Sequence, residues 1–190
     1  MENKTIGFAF CGSFCTYAKA MSALESLTTS YETIIPIFSQ AGCTIDSRFG
    51  TAESHLSRAE TLCNHKALTT IAEVEPIGPK KLLDALVIAP CTGNTLAKLA
   101  HGIADGPVTM AAKSHLRNGR PVIIAVSTND GLAAAAENIG RLLPRKHLYF
   151  VPFRQDDPIK KPTSLVADFT KIPQTLDLAL QGIQIQPLLL

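Results

Sequence analysis

VIAPCTGNTLAKLAHGIADGPVTMAA, residues 87–112, runs from an uninterrupted apolar stretch into small hydroxylic and amide residues, then into two stretches with helical spacing. The apolar stretch, 85–89, does not alternate with polar residues. A strand covered on both faces reads this way, as in a parallel sheet between helices. Four more runs share the character: 5–10, 33–38, 122–126 and 148–151. Pro36 suggests irregularity near the end of the second. Helical segments separate them. Residues 13–27 follow Ser13 as a candidate N-cap; 53–63, 96–103 and 108–116 come next; alanine-rich 130–143 has Asn129 or Asp130 to cap it. Glu75-Pro76-Ile77-Gly78-Pro79 reads as non-helical. Residues 152–162 read as a polar, proline-bearing loop leading into two weak helical stretches, 163–169 and 173–181. The alternation predicts an α/β fold: three layers, doubly wound and Rossmann-like, with a mainly parallel sheet of five to six strands. A single domain is expected over 1–190, with 152–190 as a C-terminal loop–helix extension.

Bulk properties narrow the class. The 190 residues are 46% hydrophobic, enough for one full core. Eighteen basic against 16 acidic residues, with no Lys/Arg-rich run, give no reason to expect nucleic acid. No apolar stretch reaches the roughly 20 residues that cross a bilayer, and MENKTIGFAF lacks the layout of a cleavable signal. Five cysteines, an odd count without a paired CxxC, point to a reducing cytoplasm without a disulfide framework. No metal is expected: Cys11 and Cys15 lack a second pair, and the histidines at 55, 65, 101, 115 and 147 show no ligand spacing.

Ligands of open parallel sheets bind outside the carboxyl ends of the strands. Here those ends carry Gly12-Ser13, Ser39, Thr92-Gly93-Asn94-Thr95 and Ser127-Thr128-Asn129. Small hydroxylic corners let a phosphate approach backbone N–H groups at helix starts, and Pro90 suits a wall against a flat ring. A phosphorylated planar cofactor is therefore expected. The usual dinucleotide site is not: the first turn reads Gly7-x-x-x-x-Gly12-Ser13, no acidic residue ends the second strand, and Walker A is absent.

Pro90-Cys91-Thr92-Gly93-Asn94-Thr95 resembles the Pro-x-x-x-Asn-Thr signature of the flavin-binding, cysteine-decarboxylase-like flavoproteins, and with Gly12-Ser13 and Ser39 it resembles their FMN cradle. Arg48-Phe49-Gly50, Glu75 to Lys80, residues 84–100, 107–113 and 120–130, and the block QDDPIKKP at 155–162 resemble a branch of that family that forms one half of a two-component oxidoreductase. The resemblance implies a flavoprotein-type fold and an FMN cofactor. Gly12, Ser13 and Ser39 would hold its phosphate with Thr92 assisting; Pro90, Asn94 and Thr95 would border the ring or ribityl chain; Ser127, Thr128 and Asn129 would close over the flavin. It also implies oxidation of dihydrodipicolinate to dipicolinate (pyridine-2,6-dicarboxylate) in the mother cell of a sporulating bacterium, with NADP on a partner chain. A homo-oligomer, a trimer or a multiple of it, is implied too, with Asp105-Gly106-Pro107 as a candidate contact. The decarboxylases' Pro-x-Met-Asn is replaced by Val126-Ser127-Thr128-Asn129-Asp130, and nothing around His55 matches their histidine motif, so no catalytic residue is assigned. Two alternatives stay open: a non-redox role that stabilises the partner chain, and a free-standing FMN enzyme of the decarboxylase or prenyltransferase type.

A substrate with two carboxylates calls for cations, and a planar guanidinium matches a carboxylate best. Candidates are Arg48, Lys98, Lys113, Arg154, Lys160 and Lys161, with Arg48 and Arg154 as the expected substrate binders. Asp156-Asp157 reads as a turn cap, and Cys91 as a small buried thiol beside the cradle.

Overall fold

The computed structural model describes residues 2–190. The five apolar runs are strands: β1 (Glu2–Phe10), β2 (Tyr31–Phe38), β3 (Ala85–Cys91), β4 (Val122–Thr128) and β5 (Leu148–Phe150). All pair in parallel, in the order β2-β1-β3-β4 with β5 beside β4. Every residue of β3 is buried, which is why its sequence shows no alternation. Pro36 does not break β2. Its carbonyl accepts from Leu68 N at 2.9 Å on the side away from β1. N and C=O of one residue share an edge, so the missing donor falls on the outer side, where proline is tolerated.

The α-helices are α1 (Tyr17–Thr28), α2 (Gln40–Thr44), α3 (Ala52–Cys63), α4 (Ile71–Val74), α5 (Gly93–His101), α6 (Pro107–Leu116), α7 (Ala136–Leu142) and α8 (Ile172–Leu180). Several expected starts move. A 3-10 turn, Phe14–Thr16, intervenes between Ser13 and α1, and Ser13 makes no side-chain cap. Residues 130–135 are turns, with Ala133 N and Ala135 N both donating to the Asp130 carbonyl. Ala135 precedes α7, so neither Asn129 nor Asp130 caps it. Glu75–Ile77 is a 3-10 turn continuing α4, with Pro76 near its start, where the absent N–H costs little.

The C-terminal region differs most. Residues 152–162 are not simply a loop, and 163–169 are not helical. They form an antiparallel hairpin, β6 (Phe153–Asp157) and β7 (Lys161–Ala167), joined to β4 through Ser127↔Val166 and Thr128↔Leu165. The sheet thus has seven strands, not five to six. Asp157 Oδ1 accepts from Ile159 N (3.1 Å) and Lys160 N (3.0 Å), an Asx turn that reverses the chain. Asp157 therefore caps a turn, as its composition suggested. The hairpin clamps the corner after β4: Leu132 N donates to Thr163 O at 2.9 Å, and Thr163 Oγ1 to Asn129 O at 2.7 Å. Gly131 permits this, because a Cβ there would lie 2.6 Å from Leu165 Cγ.

Two outcomes follow from this packing. Gly131→Ala forces Leu165 and the hairpin outward, and should lower the stability to urea by about 1–3 kcal/mol. His115 on α6 is 1% exposed, with Nε2 3.1 Å from Pro121 O. Burial pushes its pKa down from 6.5 to about 4. The unfolded chain takes up this proton near pH 6.5 and the native chain resists it. The His115 contribution is therefore full above pH 6.5 and is lost as the pH falls toward 4, by up to about 3 kcal/mol. Urea midpoints measured from pH 8 to 4 should show a shallower acid-side fall for His115→Gln than for the wild type.

Candidate cofactor site

The strand order reverses between β1 and β3, because β1 leads across to β2 on one side and β3 to β4 on the other. At such a switch point the loops part and leave a crevice. Cys11 N donates to Pro90 O at 3.3 Å and ties the two strand ends together just below it. Above lie two cavities. One, of about 790 Å³, is lined by Gly12, Ser13, Thr92, Asn94, Ser127, Thr128 and Asn129 among others. The second, of about 510 Å³, shares Gly12, Thr92 and Asn94 and continues past Ser39 and Thr95.

Nine of the ten cofactor residues expected from sequence thus border one or both cavities. The exception is Pro90. It is buried and borders neither, because β3 runs on through Cys91 and the corner begins at Thr92. Ser13 and Ser39 also part company: Ser13 faces the larger cavity, Ser39 the smaller, and Gly12 joins the two.

The corners are held by hydroxyls. Ser13 Oγ lies 2.9 Å from Ser127 Oγ, Thr16 Oγ1 lies 3.1 Å from Ser127 Oγ, and Thr16 Oγ1 donates to Ser13 O at 2.9 Å. One proton per hydroxyl gives a single order that satisfies all three: Ser13 donates to Ser127, Ser127 to Thr16, and Thr16 to the carbonyl. Thr92 caps α5, accepting from Thr95 N at 3.2 Å, while Ser39 accepts from Gly42 N at 3.2 Å. At Gly93 a Cβ would lie 2.7 Å from Thr128 Oγ1 and 2.8 Å from Asp130 Oδ1. Glycine lets the first turn of α5 close on that corner. Thr128 hydrogen-bonds the Asp130 carboxylate there, against the helix end that favours negative charge.

Beneath the cavities, burial raises the Cys11 thiol to about 11 and pushes Cys91 up as well. Both stay protonated near neutrality, so neither serves as a thiolate. His55 stacks edge-on to Tyr17, with centroids 4.7 Å apart, and borders neither cavity.

The cations are placed unevenly. Arg48 lines the larger cavity, its guanidinium 4.9 Å above the centre of the Phe49 ring. Lys161 lines it too, paired with Asp156 at 2.6 Å; Lys98 lines the smaller one, paired with Asp105 at 2.8 Å. Lys113 and Lys160 border neither. Arg154 borders neither cavity: it lies in an adjoining groove with Ser22, Ser26 and Thr170, which shares Lys19 and Val166 with the larger cavity. Lys19, which sequence reasoning passed over, does line the larger cavity. A lone lysine on a helix carries no sequence signal, and its position depends on the 3-10 turn before α1. Among the described residues no group of three or more His, Cys, Asp or Glu could hold a metal, and no helix is long and apolar enough to cross a membrane.

Comparison with known proteins agrees with this geometry. A family model described as Flavoprotein matches residues 1–161. The B subunit of dipicolinate synthase from Bacillus subtilis (strain 168) is 42% identical over 189 residues, covering 100% of this chain and 94% of that relative. The crystal structure of the dipicolinate synthase B subunit from Bacillus halodurans superposes with a TM-score of 0.90 at 39% identity, covering 100% of this chain and 98% of that one. The FMN-dependent cysteine decarboxylase SpaF shares the fold at a TM-score of 0.67 and 22% identity, over 93% and 97% of the two chains. A doubly wound sheet with a two-compartment crevice at its switch point, the match to the family model and the similarity to the B. subtilis relative over the whole chain together make this chain a member of the flavoprotein family.

Proposed function

We propose that this chain is the B subunit of a dipicolinate synthase and that it binds FMN in the paired cavities at the switch point. Together with the A subunit of dipicolinate synthase it oxidises dihydrodipicolinate to dipicolinate in the mother cell of a sporulating bacterium. The observation that carries the reading is the junction at Gly12, Thr92 and Asn94, in a chain similar end to end to the B. subtilis relative. The donor set fits a flavin mononucleotide. Hydroxyls and the first turn of α5 suit a phosphate, amide and hydroxyl groups suit the ribityl chain, and each cavity, about 790 and 510 Å³, lies within the roughly 300–1,000 Å³ range that holds small ligands.

The reaction removes two hydrogens from a cyclic imine diacid, one as hydride and one as a proton, and leaves an aromatic ring. NADP held by the partner chain would be the final acceptor of these two electrons. A flavin bound here supplies two-electron redox chemistry. The residues of this chain bind and orient. Gly12, Ser39 and Thr92, with Ser13, hold the phosphate end; Asn94 and Thr95 border the ribityl chain; Ser127, Thr128 and Asn129 form the wall under the hairpin. The chain works as a homo-oligomer, a trimer or a multiple of it. The segment at Asp105-Gly106-Pro107 is a contact, supported by Ile103, which leaves 47% of its surface exposed beside it.

Co-purification of the A and B chains, followed by assay of the two separately and together, with and without FMN and NADP, tests the reading. Dipicolinate should form only when both are present. Decarboxylation of a cysteine-ended peptide by this chain alone would replace the reading with the free-standing enzyme. For the cradle, Gly12→Leu fills the junction of the cavities, since even a Cβ there lies 3.2 Å from Ala41 Cβ. Flavin fluorescence quenching should report about 10- to 100-fold weaker FMN binding with unchanged circular dichroism.

A further inference from the structure

We propose that Lys19 and Arg48 form a two-cation clamp in the larger cavity that takes both carboxylates of a planar aromatic diacid and rejects the monoacid. The inference rests on the substrate reading above and assigns it residues.

The charges around the cavity single out this pair. Three basic side chains line it: Lys19, Arg48 and Lys161. Lys161 is paired with Asp156 at 2.6 Å, and the other carboxylate lining the cavity, Asp130, accepts from Thr128 against the first turn of α5, whose dipole partly offsets its charge. Among the described residues neither Lys19 nor Arg48 has an ion-pair partner. Three cations against two carboxylates leave the lining net positive, and Lys19 and Arg48 are the two cations without an ion-pair partner. Their natural complement is a ligand with two negative charges.

Arg48 is also built to point. Its loop is closed by Ser47 N to Gly50 O (3.0 Å) and Gly50 N to Ser47 O (3.1 Å), and anchored by Asp46 Oδ1 accepting from Ala52 N at 2.8 Å. The guanidinium carbon lies 4.9 Å over the Phe49 ring, a cation–π contact that limits where the side chain can swing. Phe49 itself is 45% exposed, and it lines the cavity together with Phe14. An exposed aromatic ring in a pinned loop gives the core nothing. It does offer a flat apolar face to a flat ring. Lys19 comes from a different element, α1, so the two cations do not move as one. A diacid engages both at once; a monoacid engages either and leaves the other unpaired.

The test uses the full chain saturated with FMN. Isothermal calorimetry measures pyridine-2,6-dicarboxylate and pyridine-2-carboxylate against wild type, Lys19→Met, Arg48→Met and, as a control from the neighbouring groove, Arg154→Ala. Wild type should bind the diacid at least about 10-fold tighter than the monoacid, and each Met variant should lose about 10-fold in diacid affinity. Monoacid affinity should change by only about two- to threefold, since the remaining cation still binds it, and FMN quenching and the Arg154→Ala affinities should stay at wild-type values. Equal wild-type affinity for the two acids, no binding of either, diacid affinity indifferent to both Met variants, or a loss at Arg154→Ala instead would each overturn the clamp. Turnover by the wild-type complex of both chains is scored separately. If dipicolinate forms while the clamp fails, only the residue assignment falls; if none forms, the substrate reading falls.

Discussion

Everything in this molecule hangs on two neighbouring strands whose chains depart in opposite directions. β1 and β3 lie side by side in the sheet, yet one crosses to β2 and the other to β4. No connection can cover the gap above them. The contact between Cys11 N and Pro90 O seals its floor, and the hydroxyl chain from Ser13 through Ser127 to Thr16 braces β1 against β4 across its wall. Side chains larger than serine or threonine at these corners would fill the gap. Their small size is thus a requirement of the opening, and the hydroxyls compensate by fixing geometry that packing cannot.

The hairpin shows how a feature remote in sequence becomes part of the site. β6 and β7 add two antiparallel strands to a parallel sheet and bring Lys161, Ser164 and Val166 to the larger cavity. Only two residues of β4 pair with β7. The attachment therefore relies on side chains and turns: Thr163 on the Asn129 carbonyl, Ser164 on the Thr128 carbonyl at 3.2 Å, and Leu165 over Gly131. Stability of the hairpin and shape of the cavity are consequently one property.

The five parallel strands could be read directly, because a strand buried on both faces must be apolar throughout, and such runs are conspicuous. Nine of the ten positions expected at their carboxyl ends border the cavities for the same reason: the location of a switch-point crevice follows from the topology. The expected residues that border neither cavity share a different cause. Pro90 sits beneath the corner because pairing carries β3 two residues further than its apolar run. Arg154 faces another groove because its strand leaves no apolar trace in the sequence, and without the strand there is no alternation to decide which side each residue takes. The exposed half of the hairpin, with its two prolines, lacks the pattern that marks a buried strand. Lys19 could not be found at all, since only three-dimensional placement distinguishes it from other surface lysines.

The two compartments also differ in how they can hold charge. The smaller cavity is lined by one cation, Lys98, and Asp105 neutralises it at 2.8 Å. A phosphate there would depend on hydroxyls, backbone N–H groups and the α5 dipole, which reach no further than the first turn of the helix. The larger cavity keeps two cations without partners on exposed elements, where attraction is longer-ranged and screened. A cofactor that stays and a substrate that comes and goes make opposite demands. Neutral donors in a confined space hold an anion by geometry and release it slowly. Exposed cations lining a larger cavity attract an anion from a distance and exchange it readily with solvent. The division of charge therefore fits the proposed arrangement, in which the mononucleotide reaches across both cavities from its phosphate end and the diacid meets the cations of the larger one.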